Sequence, residues 1–359
     1  MKKEKFIDTP KNKAFFSEEF NYVFDKRDGR TVMWGKTYED DPDVAPFPML
    51  IDMEITERCH GICTKYGNGG GIDTVLKKEN PCTSLCYKSN NPNVGEVMSF
   101  ETAKKIIDKL PKQCTQIAFG TDASLVTNPE WYKIFCYARD NGIIPNVTVA
   151  DITEETAKRI ASVCGATSVS RYGDRDVCYN SVKYLTDAGL SQVNLHIVLY
   201  KNNMENVYET LEDIKNDHRL KKLNAIVFLS LKQKGYGVKQ EPISQEEFSA
   251  LIMKCKELGI NFGMDSCSGR RFFNTIKGTE MENLGVYVTK CESSRESFYI
   301  NAKGEGFPCS FTEGTKGWET GIDVVNCKDF IEDVWYNPRL HNFREILLMN
   351  DCNCPIYNV

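Results

Sequence analysis

The sequence predicts an α/β fold: a partial (β/α)6 TIM-like barrel followed by a small Cys-rich C-terminal module. Three observations predict it. Short apolar runs alternate with helix-length amphipathic segments from residue 49 to about 265, Ser, Thr or Asn caps and Gly stops bound those segments, and the rhythm ends after Cys267. Parallel neighbours need helical crossovers, so repeated βα units imply a parallel sheet. An open doubly wound sheet fits the same pattern; in both architectures the chemistry gathers at the C-terminal ends of the strands.

The elements follow in order. Residues 21–24 and 31–34 flank an Asp-Gly turn and predict a β-hairpin within an N-terminal extension, residues 1–48. Residues 49–266 form the barrel, with strands expected at 50–55, 116–119, 146–150, 168–170, 192–199, 225–231 and 261–264. Ser99, Thr153 and Ser244 precede acidic first-turn residues, and Asn128-Pro129 offers a cap with Pro at the first helical position. Gly142, Gly165, Gly189 and Gly259 stand where helices should stop. Residues 267–359, rich in Gly, aromatic residues and Cys, form the separate module.

At 359 residues the chain is long enough for a sizeable core, and its 41% apolar and 26% charged residues are ordinary for a globular protein. A net charge of -5 does not favour nucleic acid as a partner. Neither a secretory signal nor an apolar run of membrane-spanning length is evident, so a cytoplasmic location without membrane attachment is expected. Fifteen cysteines in a reducing compartment point to metal or cluster ligation rather than to disulfides. Cys114, Cys136, Cys164, Cys178 and Cys255 lack partners at ligand spacing and read as ordinary buried thiols.

The first barrel strand runs into Cys59-His60-Gly-Ile-Cys63, and after a Gly-rich charged stretch come Cys82 and Cys86, then Tyr87 and Lys88. Four cysteines thus share one loop at a strand's C-terminal end. The arrangement resembles the radical S-adenosylmethionine (SAM) family, whose loop after the first strand carries C-x3-C-x2-C; here two C-x3-C pairs are separated by an insertion. The resemblance implies a [4Fe–4S] cluster with three thiolate ligands and a vacant iron that chelates SAM. Either Cys59, Cys63 and Cys86 or Cys59, Cys82 and Cys86 supply the thiolates, and Pro81 beside Cys82 favours the second set. A four-cysteine zinc site is the competing reading, and His60 reads as a loop residue.

The same resemblance assigns further cofactor contacts. Gly120, Thr121 and Asp122 occupy the place of a Gly-rich turn that holds the amino end of SAM, and Ser168, Ser170 and Arg171 match positions near its ribose and carboxylate. Asn194 and His196 alternate onto one face of the fifth strand and would meet SAM or substrate; Lys232, after the sixth, invites the same reading. Cys291-x12-Gly304-x4-Cys309 resembles the opening of SPASM or Twitch extensions, with a hairpin at 298–304 bringing its ends together. Cys352, Cys354 and Cys267 would complete a second, auxiliary [4Fe–4S] cluster.

The implied activity is reductive cleavage of SAM to a 5′-deoxyadenosyl radical that abstracts hydrogen from a peptide or protein, which is then oxidised or crosslinked. A flavodoxin or ferredoxin would serve as reductant. A small metabolite, nucleotide or RNA base is the alternative substrate, and a zinc-stabilised binding protein without redox chemistry the alternative function.

Overall fold

The computed structural model describes residues 4–40, 42–59, 85–88 and 94–357. Strands β1 (Lys5–Asp8), β2 (Asn12–Phe16), β3 (Asn21–Asp25) and β4 (Thr31–Trp34) form an antiparallel sheet in sequence order. The expected hairpin is β3–β4, and β2 pairs with β3 on the other side. Phe15, Phe20, Tyr22, Phe24 and Phe47 pack together beneath this sheet. It abuts the N-terminal side of the barrel: the Tyr22 hydroxyl donates to Gln113 O at 2.7 Å, and the buried Lys13 ammonium donates to Cys114 O at 2.7 Å and Lys112 O at 2.9 Å.

All seven expected barrel strands form. They are β5 (Leu50–Glu54), β6 (Gln116–Gly120), β7 (Ile144–Val149), β8 (Ala166–Ser170), β9 (Val193–Leu199), β10 (Ala225–Ser230) and β11 (Phe262–Met264), each parallel to the next. The crossovers contain helices α1 (Phe100–Ile107), α2 (Trp131–Asp140), α3 (Glu154–Val163), α4 (Arg175–Asp187), α5 (Met204–Asn216) and α6 (Gln245–Leu258). The alternation of the strands separates two faces. Ile51, Met53, Ile117, Phe119, Leu195, Ile197, Ile226 and Phe228 are buried in one apolar core with Ile106, Ile134, Ile160, Leu185 and Leu251 of the helices. At about 1.5–3 kcal/mol for each large apolar side chain, this layer is a main source of stability. The opposite face is polar and lines the interior.

Ser99, Thr153 and Ser244 cap their helices as expected, Ser244 within a complete capping box with Glu247. At two places the local signals do something else. Helix α2 starts only at Trp131, and the Asn128 amide instead donates to Ile55 O at 2.8 Å and Met98 O at 2.9 Å. Gly165 follows an extended Cys164 rather than closing a left-handed turn, and its value lies in space: a Cβ there would sit 2.5 Å from the Ile144 side chain.

After β11 the βα rhythm continues with helix α7 (Gly269–Ile276). Strand β12 (Ser297–Ile300) then joins the sheet parallel to β5, followed antiparallel by β13 (Glu305–Phe307) and β14 (Ile322–Asp323). The hairpin expected at 298–304 is β12–β13, and it extends the barrel sheet to ten strands. The C-terminal region is therefore continuous with the barrel sheet through backbone hydrogen bonds. A π-helix at Phe330–Trp335 and helix α8 (Pro338–Met349) pack behind it, with Trp335 fully buried and its indole N–H donating to Ala45 O at 3.1 Å.

Candidate functional site

Strand β5 delivers the chain to Cys59 through a closed loop base. Thr56 and Val97 form a β-bridge, Glu57 N–H donates to Glu96 O at 2.9 Å, and Met98 N–H donates to Ile55 O at 3.0 Å. Both ends of the cysteine-bearing segment are thus joined at the barrel mouth. Cys59 and Cys86 belong to the described residues, whereas Cys63, Cys82 and His60 lie outside them.

Asp122 supports this base. Its carboxylate, only 2% exposed, accepts from Val126 N–H and Thr127 N–H at 3.1 Å each and from the Thr127 hydroxyl at 2.8 Å. Thr127 in turn meets the Thr56 hydroxyl at 3.0 Å and Arg58 O at 3.2 Å. The acid expected to face a cofactor amine is occupied in shaping the loop that carries Cys59. Gly120 closes β6 against Glu54, where a Cβ would stand 3.2 Å from the Glu54 Cα. The neighbouring Thr121 hydroxyl donates to Asp122 O at 3.1 Å.

Ser168, Ser170, Asn194 and His196 share the interior face, at register positions Ser168↔Asn194 and Ser170↔His196. They divide by depth. Asn194 accepts from the Asn224 amide at 2.8 Å, and Asn146 donates to Gln116 at 2.7 Å, so these amides form a floor. His196 stands a layer higher; burial depresses its pKa to about 4 despite the opposing Asp265 charge, which keeps the ring neutral near pH 7. Arg171 turns away from the interior: it is 4% exposed and donates to Gly173 O and Asn206 Oδ1, both at 2.6 Å. Lys232, also buried, pairs with Asp265, which additionally accepts from Ser230 N–H at 3.2 Å.

Several interior acids were not singled out from the sequence. Glu54 accepts from Lys88 at 3.2 Å and from the Tyr299 hydroxyl at 2.9 Å, and Lys88 also pairs with Glu313. Asp52 lies two residues earlier on the same strand face, and burial lifts its pKa to about 6. Asp151, just beyond β7, is 5% exposed with carboxylate oxygen Oδ2 unpartnered, and burial lifts it likewise to about 6. The available signal was the pair Asp52 and Glu54 at spacing two in an otherwise apolar strand, which puts both acids on the interior face.

Four of the five C-terminal candidates gather. Cys291 senses the charges of Cys309 and Cys354, Cys267 those of Cys291 and Cys309, and Ser293 hydrogen-bonds both Cys291 and Cys309. Burial raises all three of Cys267, Cys291 and Cys309, Cys291 to about 11. Cys352 faces elsewhere, toward Arg295 and Lys290, while its carbonyl accepts from Cys291 N–H at 3.3 Å. Among the described residues, no three His, Cys, Asp or Glu side chains converge closely enough for a single metal ion. Cys114, Cys164, Cys178 and Cys255 are buried thiols, and burial pushes Cys114, Cys178 and Cys255 up to about 12.

With this geometry established, comparison with solved structures becomes informative. The chain shares the fold of SuiB. The structure of Streptococcus suis SuiB matches with a TM-score of 0.61 at 15% identity, over 84% of this chain and 69% of SuiB. SuiB bound to its precursor peptide SuiA matches at TM-score 0.59 and 14% identity, over 84% of this chain and 68% of that one. SuiB bound to S-adenosylmethionine matches at 0.58 and 14%, over 84% and 67%. No family model and no curated protein sequence matches the chain. No helix among the described residues is long and apolar enough to cross a membrane.

Proposed function

We propose that this protein is a radical SAM enzyme that acts on a peptide. The observation that carries the reading is the cysteine loop of Cys59 and Cys86, rooted at the C-terminal end of β5 above a polar barrel interior, in a fold shared with SAM-binding SuiB. Thiolates suit iron–sulfur ligation, and Cys59 and Cys86 together with Cys82 or Cys63 would hold the SAM cluster. Cys267, Cys291, Cys309 and Cys354 supply four thiols spread too widely for one ion, a donor set that suits a second cluster better than zinc. Bound SAM and reduced cluster would supply a 5′-deoxyadenosyl radical for hydrogen abstraction.

The chain's own side chains define what surrounds that chemistry. Neutral His196 offers one donor and one acceptor nitrogen to a bound ligand. The Asp52 carboxyl, half protonated near pH 6, can take up a proton released in the interior. The SuiA complex of SuiB supports a peptide as the substrate class.

Purification without oxygen followed by iron and sulfide analysis tests the reading directly. The expected outcome is a brown chain with stoichiometric sulfide and production of 5′-deoxyadenosine that is lost in Cys86→Ala. Zinc in place of iron, or undiminished cleavage in that variant, would overturn it.

A further inference from the structure

One short segment touches both cysteine regions. After β10 the chain reads Lys232-Gln233-Lys234-Gly235-Tyr236. Lys232 pairs with Asp265 and hydrogen-bonds Cys267. The Lys234 ammonium donates to Glu313 O at 2.6 Å and Phe311 O at 3.2 Å, both in the loop after Cys309. Tyr236 N–H donates to Cys86 O at 3.0 Å. Gly235, at φ +58°, lets this approach happen: a Cβ there would stand 2.5 Å from Cys86 O and 2.4 Å from Tyr87 O.

The two cysteine loops also hold each other. Tyr87 and Phe311 stack with centroids 4.5 Å apart, and Lys88 pairs with Glu313, whose other oxygen accepts from the Asn301 amide at 2.7 Å. A buried carbonyl or carboxylate deprived of its donor has no water to replace it, so each of these contacts constrains both loops at once.

We infer that residues 232–236 are a clamp that positions the Cys86 loop and the Cys309 loop as one unit, so that ordering either site orders the other. The clamp rests on the proposed function only for the identity of the ligand; the coupling is a property of the apo chain as well. Lys234 and Gly235 are positioning residues in this arrangement, because they reach the cysteines through backbone carbonyls.

The test uses the full chain. In the apo protein, alkylation of Cys86 and Cys309 is followed residue by residue with mass spectrometry, with Cys136 as internal reference. Lys234→Met should accelerate both thiols by roughly five- to thirtyfold, the factor expected when a contact of ordinary strength is lost. Lys234→Arg keeps donors for the same carbonyls and should restore protection, which a general loss of stability would not predict. Glu313→Gln, which leaves the 232–236 segment intact, should expose the same pair through the other half of the contact.

After reconstitution with iron and sulfide, Lys234→Met should also shift the electron paramagnetic resonance signal of the reduced, SAM-treated protein. Acceleration at Cys309 with Cys86 unchanged, in both Lys234→Met and Glu313→Gln, would overturn the clamp. Failure of the wild-type chain to take up iron would instead overturn the proposed function and leave the alkylation result standing.

Discussion

The Tyr299 hydroxyl donates to the Glu54 carboxylate at 2.9 Å across the seam where β12 pairs with β5, and it accepts from the Lys88 ammonium at 2.7 Å. One hydroxyl thus connects the C-terminal hairpin, the first barrel strand and the cysteine loop. Tyr299→Phe keeps the ring, which lies 4.9 Å from the ammonium, and removes only these two bonds. The variant should lose about 1–3 kcal/mol in urea denaturation, since hydrogen bonds to charged groups in a buried setting stand at the strong end. A loss near zero would mean that Lys88 and Glu54 rearrange without cost.

Asp151 makes stability depend on pH in the sense opposite to most carboxylates. Burial raises its folded pKa to about 6, whereas an unfolded Asp titrates near about 3.9. Between those values the folded chain binds a proton that the unfolded chain does not, so this residue's contribution to stability falls as pH rises from 4 to 6 and stays low above. Asp151→Asn should therefore stabilise the protein by roughly 2–3 kcal/mol at pH 7 and by little at pH 4. Denaturation curves at the two pH values check it; an equal effect at both would show that the carboxyl charge is not the cause.

The barrel was legible in the sequence because its signals are local. Alternation within a strand, a Ser or Thr before acidic residues and a Gly after a helix all act within a few positions, and Ser99, Thr153 and Ser244 do what their neighbours dictate. The site was only partly legible because its contacts are long-range. Glu54 and Tyr299 meet across 245 positions and Lys88 and Glu313 across 225, and pairing at that distance follows from the β5–β12 register, which no local pattern announces. Arg171 illustrates the other difficulty: one residue past a strand end, alternation no longer decides direction, and its guanidinium goes to Gly173 and Asn206 instead of the interior.

Asp122 is the acid on which the Cys59 loop is built. Asp122→Ala leaves the Val126 and Thr127 N–H groups and the Thr127 hydroxyl without their acceptor in a buried turn. The expected destabilisation is about 2–4 kcal/mol. Because Thr127 also bonds Arg58 O, Cys59 should become more reactive toward alkylating reagents while Cys114, buried elsewhere, does not. Equal acceleration at both cysteines would indicate global unfolding rather than release of the loop.

Cys352 and Cys354 are separated by one residue yet differ in surroundings, and the backbone explains why. Helix α8 ends in a turn in which Asp351 and Cys352 adopt φ +51° and +55°, reversing the chain so that Cys354 approaches Cys291 and Cys309 while Cys352 turns toward Arg295 and Lys290. If the four gathered thiols hold the second cluster, Cys354→Ser should lower iron and sulfide by about half after anaerobic reconstitution, as expected when one of two four-iron clusters is lost. Cys352→Ser should retain the full complement, since its thiol faces cations instead of the other cysteines. The reverse pattern would place Cys352 in the cluster and require the turn at Asp351 to rotate on loading, a change that comparison of amide exchange in the apo and reconstituted chains would detect at residues 350–354.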